Sequence, residues 1–193
     1  MKSSIYTLLL LLALTPAFSW AKIPDCSNFK LKPLPHGAVI GKSVNQNKRG
    51  MKKKWAKKGK IKEIQQGSGQ VLLTAEMKEG RHDRTFAGFG ALSKDNVTYA
   101  MIWMYSDSFL SRAGGWQSAA LALAKKINAK YGRKADDSSA DDNGGIKVTW
   151  NEGDDGVRLV LSASAKMTSL SFVCDATKEY LDAQARKSLD VGF

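Results

Sequence analysis

The sequence predicts an α+β domain: an antiparallel sheet of about six strands, two helices packed on one face of the sheet, and one disulfide. Apolar and polar residues alternate in several short runs separated by turn residues, which is typical of antiparallel strands joined by hairpins. Two longer segments instead repeat apolar residues every three or four positions, as helices that cover a sheet do. Two cysteines, Cys26 and Cys174, stand far apart in the 193 residues.

The first 21 residues have the three-part pattern of a secretory signal peptide. Lys2 supplies a positive start, residues 5–14 form a short apolar run, and the small residues Ser19 and Ala21 have the spacing that suits cleavage. The apolar run is too short to span a bilayer, and no later segment is apolar for long enough. The pattern predicts a periplasmic or secreted chain that is cleaved after Ala21, with Ser19 as second choice, and has no transmembrane segment.

Residues 22–66 are predicted to form an arm that contains a basic segment, and residues 67–193 the α+β domain. Three of the four prolines lie in the arm, which favours an extended or looped chain. Because export places the chain in an oxidising compartment, we expect a disulfide between Cys26 and Cys174 that ties the arm to the domain. The alternative is a reactive thiol, although no histidine stands near either cysteine in the sequence.

The first half of the domain is predicted to be a three-stranded meander followed by a helix. The strands are expected at residues 71–77, 85–92 and 97–105. The third of these runs, VTYAMIWMY, is apolar on both faces, which is typical of a central strand covered on each side. An amphipathic stripe then predicts a helix at about residues 112–131, and Gly132 is placed to end it.

The second half repeats this order. Three strands are expected at residues 147–150, 157–163 and 170–174, and a last helix at about 176–188. Cys174 shares its strand face with Leu170 and Phe172, so its sulfur should point into the core, which favours the structural disulfide. The order of three strands, helix, three strands, helix indicates a pseudo-repeat of two βββα units.

The polar residues give little support for catalysis. The only histidines are His36 and His82, so a metal site made of His and Cys lacks ligands once the cysteines pair. The acidic loop 136–145 fails as a calcium loop, because aligning its glycine places Trp150 where a carboxylate is required. We therefore expect no enzyme, no cofactor and no metal, and a hydrolase using an unidentified carboxylate pair is the third hypothesis for function.

Residues 48–62, KRGMKKKWAKKGKIK, concentrate positive charge around one indole. Nine of these residues are Lys or Arg and none is acidic, in a chain of net charge +12. Gly50 and Gly59 would limit a helix to about two turns, with Met51 and Trp55 on the same side. The residues predicted to bind a partner are Lys48, Arg49, Lys52, Lys53, Lys54, Trp55, Lys57, Lys58, Lys60 and Lys62.

Four interpretations of this basic segment remain open. In the first it is a solvated linker. In the second it pairs internally with the acidic residues between 136 and 155, through ion pairs that are individually weak. In the third it binds an anionic lipid, an envelope polymer or an acidic protein. Trp55 then supplies an apolar contact, and peripheral membrane contact is allowed. Export argues against nucleic acid. In the fourth the chain is a periplasmic inhibitor or immunity protein that blocks an exported toxin or enzyme, and either the acidic loop or the basic segment matches a complementary surface of the target.

Overall fold

A computed structural model describes residues 23–24, 26–34, 37–55, 59–66, 69–77, 85–140, 144–154 and 156–190. The predicted signal peptide, both histidines and the centre of the acidic loop 136–145 lie outside these residues. The helices are α1 (Val44–Trp55), α2 (Asp107–Arg112), α3 (Trp116–Tyr131) and α4 (Asp175–Asp190). The strands are β1 (Gly59–Gln66), β2 (Gln70–Met77), β3 (Phe86–Lys94), β4 (Val97–Tyr105), β5 (Asp137–Ala140), β6 (Ile146–Glu152), β7 (Val157–Ala163) and β8 (Thr168–Cys174).

The strands form one eight-stranded sheet in the order β1-β2-β3-β4-β8-β7-β6-β5. Every neighbouring pair is antiparallel, so the predicted antiparallel α+β class is confirmed. The prediction of about six strands in two three-stranded meanders is wrong. Each meander has four strands and follows a helix, α1 in the first half and α3 in the second, and the two halves join where β4 pairs with β8.

Both strands missing from the prediction are the edges of the sheet. In β1 the side chains after Gly59 are exposed, except that Ile61 is half-buried. All four residues of β5 are exposed. A strand buried on neither face has no apolar alternation to reveal it, and lysines on β1 protect the edge from pairing with other chains. The predicted boundary at residue 66 therefore falls inside the β1–β2 hairpin, and α1 and β1 belong to the domain.

One face of the sheet, here called the first face, carries the larger core. Its buried residues come from all six inner strands of the sheet and include Leu73, Phe89, Trp103, Trp150 and Phe172. Helices α1 and α3 cover this face, with α1 against β1 and β2, and α3 against β6 and β7.

The opposite face, here called the second face, is covered by α4. Strand β4 has a bulge opposite Leu92 and Ser93 of β3. Tyr99 is its extra residue, lying between the β4 residues that pair with Leu92 and Ser93. Tyr99 and the next residue, Ala100, both pack with Leu181 of α4, because a bulge can place two successive side chains on one face. The prediction of helices on one face is therefore wrong, whereas the prediction that the VTYAMIWMY strand is central and covered on each side is confirmed.

The N-terminal arm is tied to the sheet covalently and by hydrogen bonds. Cys26 and Cys174 form the predicted disulfide, with their Cα atoms 5.9 Å apart across 148 residues of sequence. The Glu152 carboxylate accepts the backbone N–H groups of Lys30 at 2.8 Å and Leu31 at 2.7 Å. Burial raises the pKa of Glu152, but these hydrogen bonds outweigh it and lower the pKa overall. The arm is thus part of the folded domain, and Leu31 is 1 % exposed.

A candidate anion-binding face on helix α1

Helix α1 begins at a capping box that the sequence signals. The Ser43 hydroxyl accepts the Gln46 N–H at 3.3 Å, and the Gln46 side-chain oxygen accepts the Ser43 N–H at 3.2 Å. The Val44 N–H also donates to the side-chain oxygen of Asn96 at 3.2 Å. Asn96 lies with Asp95 in the two-residue turn between β3 and β4, and both have positive φ. The helix start is therefore anchored at a central hairpin of the sheet.

The inner side of α1 is a buried stripe with spacings of three and four. Its members are Val44, Asn47, Met51 and Trp55. The polar member, Asn47, is 2 % exposed, and its side chain accepts the Val39 N–H at 2.9 Å and donates to the Val39 carbonyl at 2.9 Å and to Thr98 Oγ1 at 2.7 Å. These bonds satisfy the buried amide and hold the arm, the helix and the sheet together.

Trp55 lies inside the core. The residue is 7 % exposed. Its ring stacks on Phe89, with the ring centroids 4.4 Å apart and an interplanar angle of 27°. The Lys54 Nζ lies 5.6 Å from the indole centroid, within reach of a cation–π interaction. The structure therefore corrects the expectation that this indole offers an exposed apolar contact. Because the helix begins at Val44 and not near Met51, its buried stripe extends from Val44 to Trp55, and this stripe faces the sheet.

Gly50 does not limit the helix, as the sequence suggested, but lies in its interior. A Cβ atom built on Gly50 would lie 2.1 Å from the carbonyl oxygen of Gly37, and one on Gly37 would lie 2.7 Å from the Gly50 carbonyl oxygen. Gly37 also has a φ of 96°, which favours glycine. Gly50 thus serves the close crossing of the arm over α1.

The outer side of α1 is positively charged. We call the exposed Arg49, Lys52, Lys53 and Lys54 the cationic face. Within the described residues, Arg49, Lys52 and Lys53 form no ion pair. The neighbouring Lys48 instead pairs with Glu63 of β1 at 2.6 Å. Lysines in the last turn suit the negative end of the helix dipole.

The remaining lysines of the basic segment are not on this helix. Glu63 of β1 faces α1, because it forms an ion pair with Lys48. Successive side chains of a strand point to opposite faces, so Lys60 and Lys62 belong to the second face of the sheet. Lys62 pairs there with Glu76 at 2.7 Å. Two other predicted binding residues lie outside the described residues: Lys57 and Lys58.

The described acidic residues between 136 and 155 lie on or beside β5 and β6, at the opposite edge of the sheet. Seven strand spacings separate β5 from β1, roughly 34 Å at about 4.8 Å each, several times the Debye length of about 8 Å at physiological salt. Local partners also engage the acids. The Asp136 carboxylate accepts the Asn151 N–H and a hydrogen bond from Arg133, and these bonds lower its pKa. Internal neutralisation of the cationic face is therefore excluded for the described acids of this region.

Comparison with protein-family models, curated protein sequences and solved structures found no match. In the ranges that the structure describes, no three or more His, Cys, Asp or Glu side chains are grouped to hold a metal ion. No helix of the same ranges is long and apolar enough to cross a membrane.

Proposed function

We propose that this chain is an exported, non-catalytic binding module whose cationic face binds an anionic surface of the cell envelope, presented by lipid, polymer or an acidic protein. One observation carries the proposal. Arg49, Lys52 and Lys53 are exposed side by side on a helix whose opposite side is fixed in the core, and Lys54 is exposed at the flank of that buried side, over the Trp55 ring. The helix backbone that carries the cations is already ordered, so binding a surface costs side-chain entropy but no further backbone entropy.

Repulsion within the helix supports an anionic partner. The like-charge pairs Lys48–Lys52, Arg49–Lys52 and Arg49–Lys53 have the spacings of three and four at which neighbouring charges interact. Each such pair destabilises a helix by about 0.2–0.5 kcal/mol. An anion placed over the face relieves this repulsion, and the ion pair of Lys48 with Glu63 offsets the charge nearest β1.

The expected affinity is modest and sensitive to salt. A basic residue near an anionic membrane surface contributes about 1 kcal/mol, so the four cations supply about 4 kcal/mol, which corresponds to a Kd of about 1 mM. If Lys57 and Lys58 also reach the surface, the Kd falls to tens of micromolar. Because the indole of Trp55 is buried, no aromatic insertion adds to this, and salt should reverse the binding.

Co-sedimentation with vesicles of phosphatidylglycerol and phosphatidylcholine tests the proposal. The test variant carries glutamine at Lys52, Lys53 and Lys54. A matched control, with the same change in net charge at exposed sites elsewhere, carries glutamine at Lys125, Lys134 and Lys166. At 25 mM salt we expect the test variant to bind at least tenfold more weakly than the wild type and the control to bind within about twofold of it.

Two results would reject the proposal in favour of another function. Equal weakening of the test and control variants means that net charge alone attracts the protein to vesicles. A single stoichiometric protein captured from envelope extract by wild type and test variant alike, with no vesicle binding, supports the inhibitor or immunity-protein alternative. In that case the cationic face has no part in recognition.

A further inference from the structure

An apolar cavity of about 150 Å³ lies between α3 and the first face of the sheet. Its walls include the buried side chains of Trp103 and Tyr105 from β4, Leu123 and Ile127 from α3, and Leu170 from β8. An enclosed apolar cavity of about this volume accepts a benzene-sized molecule, and this one also opens to solvent on one side. The space therefore suits a compact apolar group of about six carbon atoms.

The opening of this cavity is cationic. Lys32 of the arm and Lys126 and Lys130 of α3 line it with exposed side chains. The Tyr131 hydroxyl donates to the Lys32 carbonyl at 3.0 Å, which fixes the arm to the end of α3. Lys32 Nζ donates to the Ser27 carbonyl, and Lys130 Nζ lies 5.0 Å from the Tyr131 ring centroid. Among the described carboxylates, none pairs with these three ammonium groups.

We infer that this cavity binds a small amphiphilic anion, whose alkyl or aryl end fills the apolar space while its carboxylate or phosphate pairs with Lys32, Lys126 and Lys130. A neutral apolar molecule would fill the space but leave the lysines without a counter-charge, and an amine would be repelled. An occupant also restores the dispersion contacts that the walls of a void lack. Burial raises the pKa of Tyr105 to about 12, so its phenol is protonated at neutral pH.

This site is separate from the cationic face of α1. The cavity lies against β4, β7 and β8 in the middle of the sheet, whereas α1 packs against β1 and β2 at one end of the first face. The two sites can therefore be tested independently. Substitutions at Lys52, Lys53 and Lys54 should leave the cavity ligand unaffected.

Nuclear magnetic resonance titration of the whole purified protein tests this inference with four six-carbon probes: hexanoate, hexyl phosphate, hexanol and hexylamine. We expect hexanoate or hexyl phosphate to shift the methyl signals of Leu123 and Ile127, with a Kd at least fivefold below that of hexanol. The tighter of the two anions identifies the head group. Hexylamine should bind more weakly than hexanol, because the opening repels a cation.

Two sets of variants separate this site from non-specific apolar binding. Glutamine at Lys126 and Lys130 should weaken binding of the preferred anion by about 1.5- to 5-fold for each lysine and leave hexanol unchanged. Glutamine at exposed Lys125 on the same helix is the matched control and should change neither. Leu34→Trp fills the cavity from the arm and should abolish binding of every probe, with near-ultraviolet circular dichroism confirming the fold.

Three results would overturn the inference. They are equal affinity for the anions and hexanol, unchanged affinity in the folded Leu34→Trp variant, and no binding of any probe at Leu123 and Ile127. Should Leu34→Trp fail to fold, the comparison of the Lys126 and Lys130 variants with the Lys125 control still decides the result. None of these outcomes depends on vesicle binding by α1.

Discussion

Replacing Gly50 by alanine should destabilise this protein, although the same change stabilises most helices. In the interior of an exposed helix, Gly→Ala gains about 1 kcal/mol because glycine loses more backbone entropy on folding. In α1 the new Cβ would lie 2.1 Å from the Gly37 carbonyl oxygen, and Cβ contacts under 3.0 Å are essentially never observed. The arm or the helix must therefore move by about 0.9 Å (3.0 − 2.1).

The magnitude follows from what holds the arm in place. Two residues after Gly37, both backbone groups of Val39 bond to the buried Asn47 side chain. Overpacking costs about 1–3 kcal/mol, and losing these two hydrogen bonds costs about 1–3 kcal/mol more. After the gain of about 1 kcal/mol in helix propensity, we expect Gly50→Ala to lower the free energy of unfolding by about 1–5 kcal/mol.

Urea unfolding of the oxidised protein, followed by circular dichroism, measures this change. The midpoint should fall while the slope with urea stays constant. Lys53→Ala, an exposed change on the same helix, is the control and should stay within about 0.5 kcal/mol of the wild type. If Gly50→Ala is as stable as the wild type or more so, the described crossing of arm and helix is wrong.

Three further predictions concern the disulfide, the indole and a carboxylate of α4. Alanine at both Cys26 and Cys174 should cost up to about 5 kcal/mol for a loop of 148 residues, and an unchanged urea midpoint would contradict the link between arm and sheet. Trp55→Phe should lower stability by about 1–3 kcal/mol through lost packing and leave vesicle affinity unchanged; a loss of affinity with stability intact would mean that the indole contacts the membrane. Hydrogen bonds to the Asp182 carboxylate from Lys178, then from Lys94, lower its pKa from 3.8 to about 2. Its stabilising contribution is therefore present above pH 3.8 and lost as pH falls through about 2, so Asp182→Asn should lower the urea midpoint at pH 6 and shrink the further fall between pH 4 and pH 2, and an unchanged acid response would contradict this.

Strand prediction succeeded where burial leaves a pattern in the sequence. The bounds of β4 and β7, Val97–Tyr105 and Val157–Ala163, are the predicted ones, because β4 is apolar on both faces and β7 alternates. The edge strands β1 and β5 have no buried face of their own to encode. The sequence pattern also did not reveal which face of the sheet each helix covers. The bulge that places Tyr99 on the face covered by α4 depends on the register of β3 against β4.

The charge of the candidate site was predictable, but the position of its indole was not. The stripe of α1 contains a polar residue, Asn47, whose partners Val39 and Thr98 come from the arm and from β4. A buried residue satisfied by distant elements interrupts the apolar pattern by which an amphipathic helix is identified. The capping box at Ser43 and Gln46 was the available local signal, and it places the helix start where the structure has it.

The salt dependence of binding to a linear sulfated polymer tests the central claim, that the cations of α1 bind anions without help from the indole. Each cation that neutralises an anionic group contributes about 0.7–0.9 to the slope of log K against log salt concentration. Glutamine at Lys52, Lys53 and Lys54 should therefore reduce the slope by about 2 to 3, whereas Trp55→Phe leaves it unchanged. Equal slopes for the wild type and the lysine variant would contradict the claim.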